Sequence, residues 1–366
     1  MPSMPVMPMK ADSQRGVALL TILLLVVSIT IVAGAMLASQ KIAIRRSGLL
    51  FDQDQLLQDI NAGQQLAVTL IRADTKLNDT DSEQDIWAQP IPPYALDNHS
   101  ISIELRDEAS RFNINNLYQN GAVNAAALTV FQRLLTQLNL EPDIAIAVLD
   151  YQDADGEVYQ DGGDESVVYS QQSSGAADET LPNQPFISID QLQEVRGVSA
   201  EVLAALRPYL TVVPYYMPIN VNTASPELLA SLLDGVTSEQ MRGLTDMRGK
   251  QVLPSIDELW QLPLLSGLNE EQRALLTPLL AVDSQAFMAL ITATDSANTS
   301  QARQRFATIL ISKTATDDGK TDNSNDVNSN DKNGSNANSM SNDNKSKKAK
   351  EIKVITQRLW AFRPRF

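Results

Sequence analysis

Between residues 150 and 165 the chain carries Asp150, Asp153, Asp155, Glu157, Asp161, Asp164 and Glu165, beside Gly156, Gly162 and Gly163 and without a basic residue. Carboxylates this dense repel one another unless water or a cation separates them. Calcium suits such a set, because it takes roughly six to eight hard oxygen ligands and tolerates a flexible loop. The spacing is not that of an EF-hand, since Asp153-Ala154-Asp155-Gly156 lacks the bidentate Glu at the required later position. On the residues alone a calcium loop and a solvated acidic surface loop stand side by side. The ligands of the first would be Asp153, Asp155, Asp161 and Asp164, followed by Asp150 and Glu165. Paired carboxylates could also serve glycoside hydrolysis, but no aromatic sugar-binding platform accompanies them. Few other chemistries are open. There is no Cys, which excludes disulfides, thiolate zinc sites and a cysteine nucleophile, and His99 is the single histidine. A net charge of -15 leaves no general basic field for nucleic acid. The composition therefore points away from an enzyme and away from a nucleic-acid partner.

The elements that must carry this loop begin with an apolar run. Val17 to Ser39 contains no charge, and ~20 apolar residues suffice for a helix to cross the hydrocarbon core of a bilayer. Lys10 and Arg15 precede it, which favours a cytoplasmic leader and places the bulk of the chain on the other side. Met1, Met4, Met7 and Met9 are all candidate starts. The Ala-rich end from Ala33 to Ala38 could be read as a secretory cleavage site. Against that, the run is too long for a usual signal sequence and continues past Arg46 into Leu49, Leu50, Leu56, Leu57, Ile60, Leu66, Leu70 and Ile71, at three- and four-residue spacings. One helix over about 17–75 explains both parts.

Beyond a Trp- and Pro-containing connector at 86–93, alternation predicts a strand over 99–105. Three more strands are expected only near the far end, over 285–294, 306–312 and 352–360. The sheet they form is interrupted by a helical stretch over about 111–281, which makes the class α+β. Within it, Ser188-Ile-Asp-Gln-Leu is echoed by Ser255-Ile-Asp-Glu-Leu, and both lead through an apolar helix to a Pro, at Pro208 and Pro278. Paired helices around a Gly-containing turn are expected. Their turns offer few Lys or Arg, so packing and not phosphate binding is their role. Residues 314–350 are rich in Asn, Asp, Ser and Lys with almost no apolar side chain, and predict a disordered insertion between the last two strands.

Several motifs carry a resemblance. Arg15-Gly16-Val17-Ala18-Leu19-Leu20-Thr21 resembles a type IV prepilin peptidase site, with cleavage between Gly16 and Val17. Most pilins and pseudopilins carry Glu as the fifth mature residue, where it neutralises the N-terminal amine of the subunit ahead; here that residue is Thr21. A subunit with none ahead should lack a buried, unpartnered carboxylate, although Thr21 also reads simply as a membrane-helix residue. Asp107-Glu-Ala-Ser-Arg-Phe-Asn113-Ile-Asn115-Asn116-Leu117, then Ala147-Val-Leu-Asp150-Tyr-Gln-Asp153-Ala-Asp155-Gly156, then Pro218-Ile-Asn220-Val-Asn222-Thr223-Ala224-Ser225 follow in the order seen in the K-type minor pseudopilins of type II secretion (general secretion pathway protein K). The chain is similar to that family over most of residues 15–290. The resemblance implies a pilin-like fold, with a long N-terminal transmembrane helix packed on a small antiparallel sheet and a large helical insertion. Its implied division is a leader at 1–16, a transmembrane part at 17–39, periplasmic helix and head at 40–110, insertion at 111–281 and C-terminal strands at 282–366. It further implies cleavage by prepilin peptidase with methylation, an inner-membrane anchor with a periplasmic head, and structural calcium in the inserted domain. The implied partners are minor pseudopilins of the I and J types, indirectly the major pseudopilin, and the inner-membrane secretion platform. A minor pilin of a type IV pilus or DNA-uptake system is the alternative. The Asn-rich motifs read as structural, because Asn side chains bond adjacent backbone groups.

Overall fold

The computed structural model describes residues 13–161, 183–295, 303–315 and 350–366, and the chain divides into two compact units, 1–59 and 60–366. Helix α1 spans Ser13–Leu77. Over residues 17–51 its apolar side chains are exposed on every side, Leu19 and Leu24 among them, so this part lacks the one-sided stripe of a soluble helix. By length and composition it can cross a membrane. Three of its hydroxyls bond the helix's own carbonyls, Thr21 Oγ1 donating to Ala18 O (2.9 Å), Ser28 Oγ to Leu24 O (2.7 Å) and Thr30 Oγ1 to Val26 O (2.8 Å), a pairing that suits a lipid environment.

In the second unit the character of α1 changes. Ile60, Ala67, Val68 and Ile71 are buried in a single stripe, each large member contributing roughly 1.5–3 kcal/mol. Gly63 lies on the same stretch, and a Cβ there would fall 2.6 Å from Ile291 Cγ2 and 3.0 Å from Ile101 Cγ2. Only glycine lets the helix backbone come this close to the sheet.

That sheet has five strands in the order β1 (Tyr94–Leu96), β2 (His99–Asp107), β3 (Ala286–Asp295), β4 (Arg303–Ala315) and β5 (Lys350–Trp360), and each neighbouring pair is antiparallel. The strands expected from alternation are present, β4 extending three residues beyond its expected limits at each end. β1 is an addition. With three residues, hairpin-linked through Asp97 at φ 48, it is too short to leave an alternating signal. β4 and β5 pair from Ala315↔Lys350 onward, so their connection, expected to be disordered, lies outside the described residues.

β2 and β3 are hydrogen-bonded neighbours, Ile103 opposite Ile291, although residues 108–285 intervene. This inserted stretch has its own core. Helices α2 (Ala125–Gln137) and α3 (Ile144–Asp150) supply Phe131, Leu134 and Leu149, and stacked pairs Phe112–Phe131 (5.5 Å) and Tyr151–Phe186 (4.5 Å) fill its centre. The repeated Ser-Ile-Asp segments each start a short helical turn. Ser188 caps the 3-10 turn Ile189–Glu194, and Ser255 caps Ile256–Leu259 by accepting from Glu258 N. Longer helices follow at Ala200–Leu206 and Glu270–Leu276, with Gly197 at φ +83 in the first connecting turn. Two short parallel bridges tie the insertion together, Phe112–Asn113 on Leu210–Thr211 and Ile219–Asn220 on Leu280–Ala281.

Candidate functional site

The motif residues separate into two chemically different groups. The first is neutral. Asn113, Asn115, Asn116, Asn220 and Asn222 are all buried, and their carboxamides copy backbone pairing. Asn113 Oδ1 accepts from Val213 N (3.0 Å), while its Nδ2 donates to Val213 O (3.1 Å) and Tyr215 O (2.9 Å). Asn115 exchanges bonds with Phe186, accepting from its N–H (2.9 Å) and donating to its carbonyl (3.0 Å). Asn116 does the same with Met217, and Asn222 with Leu253. Asn220 Nδ2 donates to Asp81 O (2.9 Å) and Ser284 Oγ (2.8 Å). Such amides staple segments distant in sequence and leave no reactive group free, which agrees with the structural reading. Asp107 is the charged member. It accepts from Ala109 N (2.8 Å) and Thr223 Oγ1 (2.5 Å), and burial above all pushes its carboxyl up to about 6.

The second group is the acidic loop. Asp150 ends α3, is fully buried, and accepts from Tyr159 N through Oδ1 (3.1 Å). Asp153 is 2% exposed, and its Oδ1 is buried without a hydrogen-bond partner among the described residues. Burial, then the charges of Asp155 and Asp150, raise its carboxyl to about 7. Asp155 is exposed; its side chain accepts from Glu157 N (3.0 Å) and its carbonyl from Asn183 Nδ2 (2.9 Å). Asn183 Oδ1 is a second buried acceptor without a partner among the described residues. Nothing in the sequence points to this residue, because it lies far along the chain from the acidic run. Asp161 is exposed at the edge of the described residues, and Asp164 and Glu165 lie outside them. Asp153 Oδ1 and Asn183 Oδ1 are oxygen acceptors of the kind a hard cation takes, but among the described residues the acidic run does not bring three carboxylate oxygens within 4.8 Å of one another, as Asp74, Asp81 and Asp85 do.

At the other end of the chain, Gly16, Val17 and Thr21 all lie within α1. Thr21 is uncharged and its hydroxyl is spent on the helix's own carbonyl. Asp74, Asp81 and Asp85 come together near the end of α1, and Asp81 forms a buried ion pair with Lys313. Nothing in the sequence signals this arrangement, since Lys313 is brought in only by the sheet.

Two family models match the chain, both described as type II secretion system (T2SS), protein K, over residues 110–215 and 219–283. The type II secretion system protein K of Aeromonas hydrophila is 30% identical over 263 residues, 66% of this chain and 76% of the relative. That of Pseudomonas aeruginosa is 28% identical over 256 residues, 67% of this chain and 75% of the relative. The crystal structure of the GspK-GspI-GspJ complex from the enterotoxigenic Escherichia coli type 2 secretion system superposes with a TM-score of 0.63 at 23% identity. The alignment covers 73% of this chain and 94% of the matched one, a likeness of fold.

Proposed function

The chain belongs to the type II secretion system protein K family, and on that footing we propose that it caps or initiates the pseudopilus as a minor pseudopilin of the tip. The observation that carries this reading is the helical insertion between adjacent strands β2 and β3. It enlarges a head built on an apolar N-terminal helix, so a further subunit could hardly stack above it. Thr21 supports the same position, since a subunit with nothing ahead needs no carboxylate at the fifth mature residue. The role is structural, not enzymatic. Prepilin peptidase trims the leader between Gly16 and Val17, the new terminus is methylated, the helix anchors the chain in the inner membrane, and the head stands in the periplasm. The partners are the I- and J-type minor pseudopilins, because the matched solved chain crystallised in a complex with GspI and GspJ. Contact with the major pseudopilin and the inner-membrane platform follows from filament assembly.

Calcium in the acidic loop belongs to this proposal. Asp150, Asp153, Asp155 and Asn183 would hold it, with Asp161, Asp164 and Glu165 as further candidates, and the support is the pair of orphaned oxygens on Asp153 and Asn183. Bound there, calcium supplies charge compensation and fixes the loop.

The reading is tested by N-terminal sequencing of the membrane-extracted chain with and without prepilin peptidase. Deletion of the chain should abolish export of secreted proteins and leave pili and transformation unaffected. A terminus at Val17 only in the presence of the peptidase is expected. A cut near Ala38, or no cut in either strain, would remove the pseudopilin assignment of the N-terminus.

A further inference from the structure

Away from the acidic loop a second set of carboxylates is assembled where α1 ends. Asp74 lies in the last turn of α1, Asp81 in the connector behind it, and Asp85 at the cap of the 3-10 turn Ile86–Ala88. One oxygen from each lies within 4.8 Å of the others. Asp74 and Asp81 are each 1% exposed. Asp81 Oδ2 accepts from Ser284 N (2.7 Å) and pairs with the Lys313 ammonium, whereas Asp81 Oδ1 is buried and has no hydrogen-bond partner among the described residues. Asn78 Nδ2 donates to Asp74 Oδ1 (3.2 Å) and Asp85 Oδ1 (2.9 Å), and Ser82 N to Asp85 Oδ2 (2.7 Å). Three carboxylates set against one ammonium leave two negative charges uncompensated in a site largely withdrawn from water.

We propose that Asp74, Asp81 and Asp85 bind a divalent cation. Such an ion balances the two remaining charges and gives Asp81 Oδ1 the partner that no described protein group supplies. The donors are hard carboxylate oxygens, so the ion is calcium or magnesium and not a thiolate- or imidazole-seeking metal. Its position has a mechanical meaning. The Asp81 backbone is already held by Val282 O and Asn220 Nδ2, and Lys313 comes from β4. The cation therefore fastens the end of α1 to the sheet and to the closing segment of the insertion, at the joint through which a pull on α1 reaches the head. This site is independent of calcium in the acidic loop.

The test counts ions by equilibrium dialysis of the full-length chain in detergent, stripped with chelator and then given calcium or magnesium alone. Asp153→Asn/Asp155→Asn serves as the background and removes the acidic loop's contribution. In that background one ion per chain is expected, together with a rise of a few degrees in Tm at millimolar ion. Adding Asp74→Asn/Asp85→Asn should abolish both; Asp81 is left intact to keep its pair with Lys313. Equal ion content with and without the added substitutions overturns the proposal. Should those substitutions prevent folding, terbium alone is added to the Asp153→Asn/Asp155→Asn chain and excited through tryptophan. Trp87, two residues beyond Asp85, packs edge-on against Phe287 (5.1 Å), whose ring also lies 5.4 Å from Lys313 Nζ. Sensitised emission that calcium displaces and that Trp87→Phe removes supports the site. Absence of sensitised emission overturns it.

Discussion

The asparagine network and the acidic loop both place polar side chains in the interior of the head, and they do so on opposite terms. In the network every carboxamide meets backbone donors and acceptors, so the polar groups are neutral, paired and fixed. In the loop the chain brings a fully buried Asp150 beside a nearly buried Asp153 and leaves Asp153 Oδ1 unpartnered. A paired buried amide is architecture, because it replaces water by protein at little net cost. An unpaired buried carboxylate is costly and calls for a partner such as water or an ion. The difference separates a motif whose buried polar groups complete one another from one that leaves a buried acceptor open beside exposed carboxylates.

The sharpest way to break this comparison is to remove one member from each side. Asn113→Ala deletes bonds to Val213 and Tyr215 and strands their backbone groups, so a loss of about 3–5 kcal/mol is expected in urea unfolding of the detergent-solubilised chain, with or without calcium. Asp153→Asn should behave differently. In chelator it relieves repulsion from Asp150 and Asp155 and leaves Tm unchanged or higher. In millimolar calcium it forfeits roughly 2–3 kcal/mol of ion-linked stability that the unsubstituted chain gains. Equal destabilisation under both conditions would make Asp153 another architectural residue and erase the distinction.

Much of this was legible in the residues. Apolar continuity from Val17 announced a helix able to span a membrane, and alternation located β2, β3, β4 and β5, because a half-buried strand must alternate and a lipid-facing helix need not. The Asn motifs were recognisable as structural, but as caps on adjacent backbone, whereas their main bonds run to Val213, Tyr215, Phe186, Met217 and Leu253, far along the chain. What sequence could not reveal was pairing across long separations. Asn183 reaches Asp155, and Lys313 reaches Asp81, only because the insertion and the sheet fold them together. β1 escaped because three residues carry no periodicity.

Asp107 is where the two regimes meet, a carboxylate set inside the asparagine network, and it yields the smallest and most discriminating effect. It is faced by Ala109 N, Thr223 Oγ1, Asn220 Nδ2 and the Ser284 hydroxyl, with Asp81 as the nearby like charge. These donors favour the charged form, yet burial dominates and raises the carboxyl from 3.8 to about 6. The sign follows from proton counting. Between these values the folded chain holds a proton that the unfolded chain has released, so the contribution of Asp107 to stability is full below about pH 4 and is lost as pH rises through about 6. With divalent cations chelated, the unfolding free energy should fall by about 1–2 kcal/mol across that window. Asp107→Asn should flatten this part of the profile while lowering stability at every pH, because its amide cannot accept from all four donors. Asp74, raised to about 6, and Asp153, raised to about 7, give slopes of the same sign, so the comparison is made in chains carrying Asp74→Asn and Asp153→Asn. If the slope there is unchanged by Asp107→Asn, Asp107 titrates as an ordinary carboxylate and the network's donors, not burial, set its charge.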